Sequence, residues 1–327
     1  MTGQEWAGTT YGNEWMHRWL IRLLQHIDTR VMYAFVALFV IPVCLILNPS
    51  RGIIYRYFRQ RIGYGRMKSA WKTYVNHCLF GQVVIDKFAM YAGKKFDIQI
   101  EGNERFTELT KQKEGFMLLS AHIGNYEIAG YTLVSKEKRI KALVFAGEKA
   151  SVKRNRSKMF AETNTDMIAI QPDMSHLFEI DKALTDGEIV SMSADRINGS
   201  PKCIEHDFLG TSRAEHASDA QSHGAKAKFP LGPFTIATAR SVNVLAVNVM
   251  KSSLRGYKIY VTPLRYDKSA PRQEQIRQLS DAYVSELERL VRRYPTQWYN
   301  YFNFWDESPK HSDERTKLSA ESQRKHD

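Results

Sequence analysis

The chain has 327 residues, 47 Lys and Arg against 35 Asp and Glu, and a formal net charge of +12, with 43% hydrophobic and 12% aromatic residues. That length allows one large domain with appendages or two domains, and that hydrophobic content excludes wholesale disorder. Three widely spaced cysteines, Cys44, Cys78 and Cys203, exclude a disulfide scaffold and point to a reducing compartment, and a mean hydropathy of −0.42 excludes a polytopic membrane protein.

Residues 1–30 form a polar and aromatic segment that carries Trp6, Trp15 and Trp19. Val31 to Leu47 then gives seventeen residues without a charge, between Arg30 and Arg51. A bilayer-crossing helix takes roughly 17–25 apolar residues, so residues 31–50 are expected to be a membrane anchor, either spanning or embedded in one leaflet. A buried core helix is the alternative. The run starts late and Asn48-Pro49-Ser50-Arg51 follows it, which argues against a cleaved signal.

Residues 51–72 carry Arg51, Arg56, Arg59, Arg61, Arg66, Lys68 and Lys72 and no acid, with Tyr55, Tyr57, Phe58, Tyr64 and Trp71 interleaved. Next to an apolar run, cations meet lipid phosphates while aromatic rings sit at headgroup level, so residues 51–94 are expected to be a basic, aromatic juxtamembrane region. The positive-inside bias puts this side in the cytoplasm. The same residue mixture suits single-stranded nucleic acid, but the adjacent apolar run favours membrane, and no nucleic-acid partner is expected.

From residue 95 to 306 the pattern is α/β. Strand candidates are 96–100, 116–121, 142–145, 167–170, 189–192, 242–249 and 257–261, with a helix-like stretch at 175–184 and a helical apolar spacing from Ile276 to Val291 that ends at Tyr294-Pro295. This predicts an α/β fold: a central, mostly buried mixed sheet flanked by helices, with the hydrophobic anchor helix in front of it. Residues 211–228, polar and rich in small side chains, read as a surface insertion, and 307–327 as a disordered tail.

The segment Leu118-Leu119-Ser120-Ala121-His122-Ile123-Gly124-Asn125-Tyr126-Glu127 carries the chemistry. A buried strand ends, His122 follows, and Gly124 and Asn125 suit a turn into a helix. On one continuous helix His122 and Glu127 would lie about 140° apart. With a strand-to-helix turn between them, Glu127 is expected to fold back and orient the imidazole as a general base. No Ser or Cys nucleophile motif, phosphate-binding glycine loop or zinc-protease motif occurs in the chain, so a base acting on a substrate hydroxyl is the reading.

This segment resembles the first motif of the lysophospholipid acyltransferase superfamily, and the phrase LLSAHIGNYE resembles its lipid A biosynthesis (lauroyl/myristoyl) branch. Asp186–Val190 with Ser193–Arg196, Phe208-Leu209-Gly210, Phe229–Pro233 with Ile236-Ala237, and the aromatic run Trp298–Trp305 are similar to further blocks of that branch. The resemblance implies a membrane-associated acyltransferase of the bacterial inner membrane that moves a fatty acyl chain from an acyl carrier protein or acyl-CoA thioester to a lipid hydroxyl. His122 would be the base and Glu127 its partner. It needs no metal and no cofactor beyond the thioester co-substrate. Backbone N–H groups near Gly232, or Arg196, would face the oxyanion. Asn125 and Asp195 complete the substrate-binding candidates within these blocks.

The cluster Lys149, Lys153, Arg154, Arg156 and Lys158 is read either as a solvated helix face or as contact with a phosphate-bearing acceptor or an acidic carrier, with Arg154 and Arg156 as substrate-binding candidates. Cys203, His206, His216 and His223 have no standard zinc spacing and are read as loop residues. The run Trp298–Trp305 is read as core packing, with a lipid-touching rim as the alternative. A non-catalytic membrane-attached scaffold and an N-acyltransferase making amide-linked lipids remain alternatives on the sequence alone.

Overall fold

A computed structural model describes residues 14–48, 50–145, 157, 163–171, 173–197, 202–210 and 226–305. The amino-terminal helices come first: α1 (Glu14–His26) and then α2 (Thr29–Leu47). Asp28 caps α2, its carboxylate accepting the Arg30 N–H at 2.8 Å. Pro42 does not break α2. A π-turn at Val36–Val40 widens the helix just before it, and the Ile41 N–H bonds to the Val36 carbonyl five residues back. The apolar stretch expected at 31–50 therefore lies in a helix that begins two residues earlier and ends at Leu47.

The basic region is helical, as α3 (Arg51–Arg56), a second π-turn (Tyr57–Arg61) and the 26-residue α4 (Arg66–Tyr91). Gly93, at φ 84°, ends α4: Lys94 N–H bonds to Ala89 O and Gly93 N–H to Met90 O, closing a left-handed cap that a side chain would strain. The expectation that all the aromatics here sit at headgroup level is corrected for two of them. Tyr57 and Phe58 are buried in the main core, where Tyr57 meets Trp298 edge-on at 5.1 Å. Arg59 donates to Tyr64 O at 2.6 Å and Arg61 lies over the Trp305 ring, while Arg51, Arg56, Arg66 and Lys68 stay exposed.

The α/β domain follows in the order β1 (Asp97–Glu101), α5 (Asn103–Thr110), β2 (Phe116–Ser120), α6 (Tyr126–Thr132), β3 (Ile140–Phe145), β4 (Thr165–Ile170), α7 (His176–Thr185) and β5 (Ile189–Ser193). It continues with β6 (Cys203–Asp207), β7 (Lys226–Pro230), α8 (Gly232–Ala239), β8 (Asn243–Lys251), β9 (Gly256–Leu264), α9 (Arg272–Arg293) and a 3₁₀ turn at Pro295–Gln297. Seven strands form one sheet in the order β1-β9-β8-β2-β5-β3-β4. All its pairings are parallel except β8 with β9, so the sheet is mixed, as predicted.

β2 lies at the centre, and its alternate residues fill two cores. Met117 and Leu119 face a core closed by α7, α8 and α9, while Phe116 and Leu118 face one closed by α5 and α6. Fully buried side chains of this size contribute about 1.5–3 kcal/mol each relative to exposure. The hairpin β6–β7 was not anticipated, because every second residue is charged or polar and β6 turns only Ile204 and the polar His206 inward. The insertion predicted at 211–228 ends inside it: residues 226–228 are strand, with Ala227 buried, and 211–225 lie outside the described residues, as does the predicted tail 307–327. Trp298 is buried among Phe208, Phe304 and Tyr57, which bears out core packing for the aromatic run.

Candidate active site

β2 and β5 are parallel neighbours, with Phe116 opposite Ile189 and Ser120 opposite Ser193. Continuing that register by two residues brings His122 opposite Asp195. The side chains meet there: His122 Nδ1 lies 2.8 Å from Asp195 Oδ1, and the His122 backbone N–H donates to Asp195 Oδ2 at 2.8 Å. Asp195 is buried, at 2% exposure, while the imidazole is 19% exposed. Burial works against the Asp195 charge, but the adjacent imidazole, its two hydrogen bonds and Arg196 together hold the carboxyl below its ordinary value. An ionised carboxylate only accepts, so Nδ1 carries the proton and the lone pair of the neutral ring is on Nε2.

The loop that presents His122 is tied down along its backbone. Ala121 N–H donates to Asn248 Oδ1 at 3.2 Å, Gly124 N–H to Gln297 O at 2.8 Å and Asn125 N–H to Val249 O at 2.8 Å. Tyr299 N–H reaches His122 O at 3.3 Å. Gly124 has φ 59°, and a Cβ there would stand 1.8 Å from Val249 O. Only glycine lets the chain pass this close to β8, which gives the H-x-G-N phrase its physical reason. Tyr283 supports the end of β2 from α9, its hydroxyl donating to Ser120 O at 2.9 Å. The exposed Tyr126 sets its ring edge against His122, with centroids 5.6 Å apart.

The carboxylate found at the imidazole Nδ1 is that of Asp195, where Glu127 was expected. Glu127 sits in the first turn of α6 and its Oε1 accepts from Lys87 Nζ of α4 at 2.6 Å. The helix starts at Tyr126, so Glu127 projects toward α4 rather than back over the strand end, and Asp195 takes the orienting place. Arg196, next to Asp195, donates to Tyr299 O at 2.8 Å and lies 5.5 Å from the Phe302 ring centroid. Asn125 is buried in the same loop, its amide 3.4 Å from the Tyr257 hydroxyl. Gly232 begins α8, which turns directly into β8, a parallel neighbour of β2, so topology puts it at the sheet end that carries His122.

Arg154 and Arg156, with Lys149, Lys153 and Lys158, lie outside the described residues. Of the four residues read as loop residues, Cys203 and His206 stand instead in strand β6, Cys203 exposed and His206 Nδ1 paired with Asp281 at 3.0 Å, while His216 and His223 lie outside the described residues. Sequence reasoning missed the orienting role of Asp195 and the supporting roles of Lys87, Asn248, Tyr283 and Gln297. The Asp195 role had a signal: Ser-Ala-His and Ser-Ala-Asp end two apolar runs in the same way, as they must when neighbouring parallel strands present side chains at one level.

No curated protein sequence matches the chain. Among solved structures, the 1-acyl-sn-glycerophosphate (LPA) acyltransferase PlsC from Thermotoga maritima is similar over 87% of this chain and 100% of that chain, at 14% sequence identity and a TM-score of 0.35, too low to carry a structural argument. The sequence profile of the bacterial lipid A biosynthesis acyltransferases matches residues 80–305, which contain the His122–Asp195 pair, the Gly124 loop and the aromatic close. The chain belongs to the bacterial lipid A biosynthesis acyltransferase family and is an acyltransferase.

Proposed function

We propose that the protein transfers a fatty acyl chain from an acyl thioester, carried by acyl carrier protein or CoA, to a hydroxyl of a lipid or lipid precursor, with His122 as general base. The observation that carries this reading is the 2.8 Å contact between His122 Nδ1 and buried Asp195. The acceptor hydroxyl gives its proton to Nε2 as its oxygen attacks the thioester carbonyl. Asp195 holds the ring in the right tautomer and balances the imidazolium that forms. The tetrahedral oxyanion then collapses, the C–S bond breaks, and the imidazolium returns the proton to the leaving thiolate. Base assistance of this kind contributes about 10²–10⁴-fold. Arg196 and the backbone near Gly232 are the candidate oxyanion donors. The family implies lipid and acyl-donor substrates in general, and the choice between carrier protein and CoA is left to experiment.

The same reading makes the protein membrane-associated. Only 11% of the most apolar window of α2 is buried, and Val31, Phe35, Leu38, Phe39, Val43 and Ile46 are exposed, so α2 is unlike the core helix of a soluble protein. α1 before it packs against α4 through Leu24 and through His17 on the Phe88 ring at 5.0 Å, and α3 after it also packs against α4. Both flanks of α2 therefore rest on one body, which supports a seat in one leaflet over a crossing of the bilayer. The exposed Arg51, Arg56, Arg66 and Lys68 support an anionic leaflet, on the cytoplasmic side of a bacterial inner membrane. Mass spectrometry of total lipids from cells with the wild-type gene, the His122→Ala gene and no gene tests this. An acylated lipid present only with the wild type is expected, and an unchanged lipid profile would overturn it.

A further inference from the structure

A buried polar bridge runs from the apolar helix α2 to the loop that presents His122. The Tyr33 hydroxyl of α2 donates to Asp86 Oδ1 of α4. Asp86 Oδ2 accepts from Lys251 Nζ at 2.5 Å and from the Tyr257 hydroxyl, itself 3.4 Å from the Asn125 amide. Lys251 is then bound through its backbone to the Gln297 side chain, N–H to Oε1 at 2.8 Å and Nε2–H to O at 2.8 Å. The Gln297 carbonyl accepts the Gly124 N–H at 2.8 Å. Asp86 is 0% exposed and Lys251 3%, enclosed by the rings of Tyr33, Tyr257 and Phe96.

A buried ion pair is a weak stabiliser compared with apolar side chains of the same volume, so stability alone gives little reason for charges here. Geometry gives another. The outer face of α2 is exposed and apolar, so lipid favours seating the helix and water does not. Tyr33 lies on the inner face, and a shift of α2 moves the hydroxyl that Asp86 accepts from.

We propose that this bridge couples the lipid seating of α2 to the geometry of the His122 loop, so that Tyr33 and Asp86 are positioning residues for acyl transfer and the enzyme is activated at a lipid surface. The proposal rests on the membrane-associated acyltransferase reading above. Its test does not depend on turnover.

Hydrogen exchange is measured on the full chain with and without vesicles of phosphatidylethanolamine and phosphatidylglycerol, for wild type, Tyr33→Phe and Tyr74→Phe. Tyr74 donates to Ala37 O of α2 at 3.0 Å without touching the bridge, so it serves as the control. Vesicles are expected to slow exchange of the 121–127 amides in wild type and in Tyr74→Phe. In Tyr33→Phe the slowing is lost and those amides exchange about tenfold faster, the scale of one lost charge-assisted hydrogen bond, while 279–291 is unchanged. With a total lipid extract as acceptor, Tyr33→Phe lowers kcat by a similar factor at unchanged KM and still floats with vesicles. Exchange in 121–127 that ignores vesicles in wild type, that is unaltered by Tyr33→Phe, or that rises equally across the domain would overturn the coupling. A His122→Ala protein that still transfers acyl chains would instead overturn the acyltransferase mechanism and leave the exchange result standing.

Discussion

His122 and Asp195 end adjacent parallel strands at the same level, and their side chains meet at 2.8 Å with both carboxylate oxygens engaged by one residue. The strand register produces this pairing; no loop has to fold over to complete it. Both residues stand two positions past the ends of their strands, so the sheet fixes where their side chains meet.

Asp195→Asn is expected to lower kcat by roughly 10²–10⁴-fold with little change in KM, because an amide does not enforce the Nδ1–H tautomer or balance the imidazolium. Steady-state kinetics with a melting curve checks this. A melting temperature near wild type with the predicted kcat loss separates orientation from folding.

Gly124→Ala is expected to disable the site by displacing the loop. The left-handed φ costs about 1–3 kcal/mol for a non-glycine residue, and the overlap with Val249 O adds to it. Thermal denaturation and activity should fall together. An active, fully stable Gly124→Ala protein would contradict the close approach to β8.

Lys87→Met is expected to destabilise the fold by about 1–3 kcal/mol, because Glu127 at 7% exposure loses the 2.6 Å charge-assisted hydrogen bond from Lys87. Adding Glu127→Gln to Lys87→Met should recover part of that loss in urea denaturation. Glu127→Gln should leave the acid limb of the pH–rate profile where it is, because the imidazole faces Asp195. A displaced limb would assign Glu127 the role first read from sequence.

Stability is expected to fall as pH drops below about 6.5, through His77 and His206. Burial lowers both imidazoles from the ordinary value of 6.5, although Asp281 opposes the effect at His206. Above that value both are neutral in either state and contribute nothing. Below it the unfolded chain takes protons first, so folding weakens. His77→Asn should flatten the decline in melting temperature between pH 7 and 5, and an unchanged slope would exclude His77 as a source.

Much of this architecture was legible in the sequence, for identifiable reasons. The seven strand segments lie within two residues of their observed ends, except that β9 runs three residues further to Leu264, because each is a short apolar or alternating run bounded by turn residues. β6 and β7 were missed because the inward positions of β6 hold only Ile204 and the polar His206, while the alternate positions Glu205, Asp207, Lys226 and Lys228 are charged, which leaves too weak an apolar signal. His122 was legible from its place at a strand end, and Gly124 from the turn that must follow. Glu127 was misjudged because spacing along the chain cannot tell which way the first turn of α6 faces. Tyr57 and Phe58 read as interfacial because composition cannot distinguish a ring at a headgroup from one under Trp298.

The most direct test of the account is acyl transfer by purified wild-type and His122→Ala proteins, with an acyl thioester donor and a total lipid extract, following thiol release and new acyl lipid by mass spectrometry. The account predicts matched thiol release and lipid acylation in the wild type and a fall of at least about 10²-fold in both for folded His122→Ala. Transfer by His122→Ala at the wild-type rate would contradict it.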